Sequence, residues 1–367
     1  MSSASVVIAA GGTGGHVFPG LALAAALGKY GNVATVFAGT PRGFESKLVP
    51  AAGHELELFD VVPIMGGGVE QATRGGLSAA RALSHAIEFL RRRAPRAVVS
   101  IGGYASGPVS LAATMLGIPV AIVEPNSVMG LANRILAPLA RRIYLAFDRA
   151  RPSFARAGTS DRVRLSGVPL REGFTPRPSS ATNALRRVLV LGGSQGAQAL
   201  NDRLPEALGR VAERLGGLDV VHQAGEGRDG PVRDAYVRSG LAGGRVRVVP
   251  FSTELADDLA WADLVVARAG AGTIAEIAAV GRPSLLIPFP SAADDHQAKN
   301  AEVYADAGAA VWVRQASADS ARIASEVSRI LGDDALRASL ARGAEAQGRP
   351  EAARTIARDL LQLLEVS

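Results

Sequence analysis

The 367-residue sequence contains no cysteine, few aromatic residues and no long apolar run. The lack of cysteine excludes disulfides and thiolate metal sites, which fits a reducing compartment. Aromatic residues make up only 5% of the chain and no zinc pattern is present, so a nucleic-acid partner is not expected. No segment approaches the roughly 18 uninterrupted apolar residues of a transmembrane helix, and Met1–Ser5 lacks the basic start of a signal peptide.

Lysine is absent from a long basic stretch. Residues 74–177 contain 16 arginines, no lysine and five acidic residues, a net charge of +11 in a chain whose total is +6. A field of this sign favours anionic lipid headgroups, a pyrophosphate or nucleic acid, although arginine can also serve solubility alone.

Short apolar runs alternate with Ala/Leu-rich helical stretches in both halves of the chain. Because these runs are apolar throughout rather than alternating, they predict parallel strands that are buried on both faces. The predicted strands are Val6–Ala10, Val33–Phe37, Glu55–Phe59, Ala97–Ile101, Val120–Val123, Ile143–Ala146, Val188–Leu191, Val220–Gln223, Arg245–Val249, Leu264–Ala267, Ser284–Ile287 and Ala310–Val313.

The fold class predicted is therefore α/β, with two Rossmann-like parallel-sheet domains facing a cleft. Proline and hydroxyl residues after Pro169 have linker composition. We place the first domain at residues 1–168, the linker at 169–184 and the second domain at 185–367. The last helix of the chain is a candidate to pack back on the first domain.

Each predicted domain opens with a glycine loop between a strand and a helix. The loops read Gly-Gly-Thr-Gly-Gly-His at 11–16 and Gly-Gly-Ser-Gln-Gly at 192–196. Glycines there let backbone N–H groups approach an anion at a helix N-terminus, although one such loop can also be a simple tight turn. Neither loop is a G-x-G-x-x-G fingerprint or a P-loop, which argues against a dehydrogenase and an NTPase.

His16 follows the first glycine loop, where a helix N-terminus disfavours the imidazolium. A neutral imidazole in that position can accept a proton, so we interpret His16 as a general base rather than a capping histidine. Tyr104, Ser106 and Asn126 follow two later strands and are expected at the same sheet edge, where a doubly wound sheet binds its ligand.

The second half carries a further loop and a polar cluster. Arg268 begins a strand-to-helix turn, and Glu276 lies one helical turn further on, where it can accept two ribose hydroxyls. Residues 294–297, Asp-Asp-His-Gln, offer polar groups to sugar hydroxyls. They could instead hold a divalent ion, but a helix dipole and arginine can stabilise a leaving diphosphate without metal, so no metal is expected.

These motifs, in this order, resemble those of the N-acetylglucosaminyltransferases that act on the undecaprenyl-diphospho-muramoylpentapeptide of peptidoglycan synthesis, within the GT-B glycosyltransferases. The matching segments are Gly-Gly-Thr-Gly-Gly-His-Val-Phe-Pro-Gly, Gly-Gly-Tyr-x-Ser-Gly-Pro, Gly-Gly-Ser-Gln-Gly-Ala and Gly-Ala-x-Thr-x-x-Glu. The resemblance runs from Gly11 to Ala353, nearly the whole chain.

The resemblance implies an inverting transfer of N-acetylglucosamine from UDP-N-acetylglucosamine to the C4 hydroxyl of the MurNAc of lipid I, giving lipid II for cell-wall synthesis. It places lipid I on the first domain, the donor on the second, and the protein at the cytoplasmic face of the membrane, with no cofactor. His16 becomes the catalytic residue, and Tyr104, Ser106 and Asn126 lie on the acceptor side. The implied donor contacts are Thr13, Gly14, Gly15, Asn126, Arg171, Ser194, Ser252, Ala271, Gly272, Thr273, Ile274, Ala275, Glu276 and Gln297.

The chain departs from this family's pattern at four positions: Pro125, Val168, Ser252 and Ala269. None removes a proposed catalytic side chain, although Pro125 lies where it can alter acceptor preference. The alternatives are another GT-B enzyme, such as a diacylglycerol or natural-product glycosyltransferase, and a non-catalytic nucleotide-sugar-binding protein. The two N-terminal glycine loops disfavour the first, and the retention of His16, Glu276 and Gln297 disfavours the second.

A helix predicted at Gly76–Arg93 has an apolar stripe bordered by arginines. The stripe comprises Leu77, Ala80, Leu83, Ile87 and Leu90. This pattern is typical both of a helix that rests on an anionic bilayer and of an ordinary helix that packs on a sheet. The first interpretation predicts that Arg91, Arg92 and Arg93 contribute to binding of an anionic membrane surface.

Overall fold

A computed structural model describes residues 5–61, 69–155, 159–177, 186–193, 197–241, 244–290, 292 and 295–366. The chain divides into two compact units. The first contains the described residues up to Glu172 and from Pro350 onward, and the second those from Gly173 to Arg349.

Both units are built on a parallel sheet. The strands of the first unit are β1 (Ser5–Ala10), β2 (Ala34–Gly39), β3 (Glu55–Leu58), β4 (Ala97–Gly102), β5 (Val120–Glu124), β6 (Arg142–Leu145) and β7 (Val163–Leu165). Those of the second are β8 (Arg186–Leu191), β9 (Leu218–Gln223), β10 (Val246–Val249), β11 (Leu264–Ala267), β12 (Ser284–Leu286) and β13 (Val311–Trp312). Their orders are β3-β2-β1-β4-β5-β6-β7 and β10-β9-β8-β11-β12-β13.

Helices connect the strands as the crossovers of a parallel sheet require. In chain order they are α1 (Gly14–Gly31), α2 (Glu45–Ala51), α3 (Val69–Arg93), α4 (Ser106–Met115), α5 (Leu131–Leu136), α6 (Arg151–Ala155), α7 (Gln198–Leu215), α8 (Asp229–Arg238), α9 (Leu255–Trp261), α10 (Ala271–Val280), α11 (His296–Asp306), α12 (Ser320–Gly332), α13 (Asp334–Gln347) and α14 (Ala352–Val366).

The first sheet is covered on both faces, as its apolar strands require. One face packs with α1 and α14, and the other with α3 and α4. Successive β1 residues alternate between these two cores: Val6 and Ile8 contribute to one, and Val7 and Ala9 to the other. Both sheets are parallel in every strand pair described, which confirms the predicted pair of parallel-sheet α/β domains.

The last helix, α14, packs on the first unit. Ile356, Leu360 and Leu364 lie in the same core as β1. On the rim of this interface Asp359 accepts hydrogen bonds from the Tyr144 hydroxyl (2.6 Å) and from Arg142 Nε (3.0 Å). The C-terminal segment therefore completes the first unit although it follows the whole second unit in the sequence.

The part of the α3 apolar stripe from Leu83 to Leu90 faces the core, whereas Ala80 is exposed. Leu90 is fully buried, and Leu83 and Ile87 pack against the same cluster as Val7. Arg92 and Arg93 form ion pairs with Glu57 and Glu55 of β3. The interpretation of this stripe as a bilayer-resting surface is therefore wrong, because a stripe that packs on the sheet cannot also contact lipid. The side chains of α3 from residue 69 to 77, including Leu77, lie outside the described part of the structure. Among the described residues no helix is both long and apolar enough to cross a bilayer.

Candidate active site

The first glycine loop and the loop after β4 pack directly on each other. Gly11 N–H donates to the Gly102 carbonyl (3.2 Å), and a Cβ on Gly103 would come closer than 3.0 Å to the Gly11 carbonyl. Gly102 and Gly103 have φ of +130° and +91°, conformations that L side chains rarely adopt. Glycine at both positions thus permits a backbone contact that brings the two predicted site loops together.

His16 lies at this junction, in the first turn of α1. Its Nδ1 is 3.1 Å from the Gly11 carbonyl oxygen, and a Cβ on Gly102 would lie 2.9 Å from its Nε2. Because a carbonyl oxygen only accepts, the neutral imidazole holds its proton on Nδ1 and its lone pair on Nε2. This tautomer is the one that a base acting through Nε2 requires.

The residues around His16 differ in exposure. Thr13, at the N-cap of α1, and Gly15 are exposed, whereas Gly14 is buried. The Arg171 guanidinium lies 5.3 Å from the ring centroid of Phe18 in α1. The structure thus places Arg171, distant in sequence, beside the helix that carries His16.

The three residues predicted on the acceptor side differ in how far they are exposed to solvent. Tyr104 is 54% exposed. Ser106 is fully buried, and its hydroxyl donates to the Gly103 carbonyl (2.7 Å), so it shapes the loop. Asn126 is half-buried in the turn after β5.

A buried carboxylate that the sequence analysis did not single out holds this turn. Glu124, the last residue of β5, accepts hydrogen bonds from Asn126 N–H (3.0 Å), Gly130 N–H (2.9 Å) and Asn133 Nδ2 (2.9 Å). Burial raises the pKa of Glu124, and these hydrogen bonds oppose that rise. The sequence could have indicated this role, because Glu124 ends a wholly apolar strand and a buried charge requires hydrogen-bond partners.

In the second unit, the turn into α10 presents backbone donors. Gly270 is the N-cap, and the first intrahelical bond runs from Ile274 N–H to its carbonyl. The preceding N–H groups therefore have no acceptor within the helix, and a helix end of this kind can bind an anion. Thr273 and Glu276 are half-buried.

The remaining members of the 271–276 segment fall on two faces of α10. Ala271 and Ile274 are buried, so only their backbone is available to a ligand. Gly272 and Ala275 are half-buried.

Gln297, near the start of α11, has a fixed amide orientation. Its Oε1 accepts a hydrogen bond from Phe289 N–H (3.0 Å). The two N–H donors on Nε2 therefore point away from the Phe289 backbone. Ser252 is buried, and its hydroxyl donates to Asp258 Oδ2 (2.5 Å). Ser194, predicted to contact the donor, lies outside the described residues.

Gln223 is a second residue that the sequence analysis passed over. It ends β9 and donates to the Gly193 carbonyl (3.0 Å) while it accepts from Ser252 N–H (3.2 Å). It thus links the second glycine loop to the turn after β10. In the sequence, Gln223 is an amide at the carboxyl end of an apolar run. It was interpreted only as the last residue of that strand.

Arg268 is held inside the second unit. It donates to the carbonyls of Ile287 (2.9 Å) and Pro288 (3.2 Å) and to Gln315 Oε1 (2.7 Å). Burial, with a smaller contribution from the nearby Arg203, lowers its pKa to about 10. The guanidinium therefore stays charged at neutral pH and adds positive potential beside the α10 turn. Within the described part of the chain, no group of three or more His, Asp or Glu side chains could hold a metal ion.

Comparison with known proteins gives matches to both units. The glycosyltransferase family 28 N-terminal domain matches residues 6–145, and the family 28 C-terminal domain matches residues 187–356.

Two curated relatives carry the name UDP-N-acetylglucosamine–N-acetylmuramyl-(pentapeptide) pyrophosphoryl-undecaprenol N-acetylglucosamine transferase. One, from Sorangium cellulosum, is 49% identical over 98% of this chain and 88% of its own length. The other, from Stutzerimonas stutzeri, is 42% identical over 96% and 97%. A crystal structure of Acinetobacter baumannii MurG is similar with a TM-score of 0.77 and 30% identity, over 98% of this chain and 99% of that one.

Proposed function

Because the chain belongs to glycosyltransferase family 28, among the N-acetylglucosaminyltransferases of peptidoglycan synthesis with the GT-B fold, we propose that it transfers N-acetylglucosamine from UDP-N-acetylglucosamine to the C4 hydroxyl of the MurNAc of lipid I. The product is lipid II. The main chemical support for this proposal is the position of the His16 imidazole, whose Nδ1 lies 3.1 Å from the Gly11 carbonyl oxygen.

The transfer is a single displacement. The acceptor C4 oxygen forms a bond to the anomeric carbon of the donor sugar as the bond from that carbon to the phosphate oxygen breaks, and UDP leaves with the electron pair. Attack from the opposite face inverts the anomeric configuration. The hydroxyl proton passes to Nε2 of His16, which carries the lone pair in the tautomer that Gly11 selects.

The second unit is the donor-binding unit in this proposal. The N–H groups at the start of α10, and the Gly193 loop that Gln223 holds, stabilise charge on the leaving diphosphate. Glu276 accepts hydrogen bonds from the ribose hydroxyls, and Gln297 donates from Nε2 to a sugar hydroxyl. Ser194, Ser252 and the 271–275 backbone complete the proposed contacts of this unit.

The first unit binds the acceptor and contributes to the donor site. Tyr104 is exposed next to the His16 loop and is suited to contact the acceptor, while Glu124 holds the turn that carries Asn126. The proposed donor contacts of this unit are Thr13, Gly14, Gly15, Asn126 and Arg171.

We infer that the first unit also docks on the membrane that contains the acceptor. Helices α4 and α5 are neighbours. They and the following turn expose five large apolar side chains, which we call the apolar patch: Leu111 (39% exposed), Met115 (62%), Leu131 (51%), Ile135 (64%) and Leu139 (51%). Spacings of four residues place the members of each helix on one face.

Arginines lie beside the part of the apolar patch that contains Ile135 and Leu139. Arg134 and Arg141 are exposed, and Arg162 donates to the carbonyls of Pro138 (3.3 Å) and Ala140 (3.1 Å), on either side of Leu139. An apolar surface bordered by arginine is complementary to anionic headgroups above an acyl layer. A lipid-linked acceptor requires such contact, so we propose a peripheral location on the cytoplasmic face of the membrane.

The test is a product assay with labelled UDP-N-acetylglucosamine and a short-chain lipid I analogue. We expect a lipid-linked disaccharide with an inverted anomeric configuration, read by NMR coupling. A matched acceptor that lacks the C4 hydroxyl should give none. Product from the deoxy acceptor would refute the C4 assignment, and no product from the parent acceptor would refute the function.

A further inference from the structure

Glu45, the first residue of α2, is fully buried beneath the first glycine loop. Its Oε2 accepts a hydrogen bond from Gly12 N–H (2.9 Å). Its Oε1 accepts from the Thr40 N–H (2.7 Å) and the Thr40 hydroxyl (2.8 Å). Three donors thus satisfy a carboxyl group that would otherwise be costly to bury.

The surrounding chain is built to admit this carboxyl group. A Cβ on Gly11, Gly39 or Gly43 would in each case come closer than 3.0 Å to the Glu45 side chain, a separation that real Cβ atoms essentially never show. Three glycines, in two segments of the first unit, therefore leave room for one glutamate side chain. Capping a helix N-terminus does not need so much space.

The peptide group between Gly11 and Gly12 joins Glu45 to His16. Its N–H donates to Glu45 Oε2, and its carbonyl accepts from His16 Nδ1. Because a trans peptide is planar and points its N–H and C=O in opposite directions, the carboxylate and the imidazole lie on opposite sides of one rigid amide. A charged acceptor on the N–H polarises the amide and strengthens its carbonyl as an acceptor.

We propose that Glu45 is a positioning residue that acts on His16 through the Gly11–Gly12 peptide, fixing the imidazole orientation and the Nδ1–H tautomer. The arrangement resembles a carboxylate that orients a catalytic histidine, with a backbone amide interposed between them. This proposal rests on the proposed role of His16 as the base.

The test compares Glu45→Gln with Thr40→Val. Glu45→Gln is nearly isosteric but cannot satisfy Gly12 and Thr40 together, because one oxygen becomes an amide donor. Thr40→Val removes one buried hydrogen bond to Glu45 and leaves the Gly12 contact. We expect kcat of Glu45→Gln to fall tenfold or more with the donor KM within about twofold, while Thr40→Val keeps kcat within about twofold at a similar loss of Tm.

A second measurement does not depend on turnover. In protein with ¹⁵N-labelled histidine, the His16 signal, assigned by its loss in His16→Ala, should report the Nδ1–H tautomer in the parent and in Thr40→Val, and a tautomer mixture in Glu45→Gln. An unchanged tautomer, or a kcat equal to that of Thr40→Val, would overturn the proposal. Inactive parent protein would instead refute the function, and full activity of His16→Ala would refute the base.

If Glu45→Gln does not fold, Gly43→Ala supplies the same test. Its new Cβ would meet Glu45 Oε2, the oxygen that binds Gly12, and so displaces the carboxylate without removing it. Gly28→Ala, where a new Cβ meets nothing within 4 Å, is the matched control. We expect the loss of kcat and the tautomer change in Gly43→Ala only, and their absence there would count against the proposal.

Discussion

Loss of the apolar patch should weaken membrane binding by an amount that follows from exposure. Full burial of a large aliphatic side chain contributes roughly 1.5–3 kcal/mol. Met115 and Ile135 are 62% and 64% exposed, so each has about 1–2 kcal/mol left to gain from a bilayer. The double variant Met115→Ser/Ile135→Ser should lose about 2–4 kcal/mol, roughly a 30- to 700-fold weaker partition.

The assay is co-sedimentation with vesicles that contain a defined fraction of anionic lipid. Val237→Ser is the matched control, because Val237 is also exposed (56%) but belongs to the second unit. Binding should decrease as salt rises, since each arginine near the surface contributes about 1 kcal/mol that screening removes. Equal partition of the double variant and Val237→Ser, with unchanged Tm, would refute the assignment of this surface.

Two further predictions concern the second unit. Glu276→Ala should raise the donor KM by roughly ten- to a hundredfold, because an unmade hydrogen bond to a ribose hydroxyl costs about 1–3 kcal/mol; unchanged donor kinetics would rule out the ribose assignment. Burial lowers the pKa of His222 to about 3, while its ring nitrogens contact the Tyr236 hydroxyl and Asn201 Oδ1. The folded state therefore disfavours the charged form, and this contribution to stability is complete above the unfolded value of about 6.5 and declines by roughly 1.4 kcal/mol per pH unit as the pH falls toward 3. Urea midpoints at pH 7 and pH 5 should show a steeper loss in the parent than in His222→Gln, and parallel losses would contradict this.

The strands could be predicted because a strand that is buried on both faces appears in the sequence as an uninterrupted apolar run. All twelve predicted runs are strands, with ends that differ by at most two residues. The missed strand, β7, lies at the sheet edge, and of its three residues only Val163 is buried. An edge strand with two exposed positions has no continuous apolar run, so the criterion that found the others could not find it.

The glycine loops and His16 could be located from sequence, but not the groups beneath them. Glu45 lies 33 residues from Gly12, and nothing local distinguishes it from an exposed glutamate at a helix start. The prediction that the α3 stripe rests on a bilayer was wrong for a related reason. Leu83 and Leu90 have the same spacing whether they face lipid or a sheet. The exposed side chains of Met115 and Ile135 lie on short, largely apolar helices whose sequence does not reveal the outward face.

The most direct test of the account is the rate of disaccharide formation in His16→Ala, measured with the lipid I analogue. We expect kcat to fall by roughly 10²–10⁴, the usual loss when a general base is removed, while the donor KM changes little. His85→Ala, at a half-exposed histidine of the same unit that pairs with Glu57, should keep kcat within about twofold. A His16→Ala variant that turns over within a few-fold of the parent would contradict the mechanism.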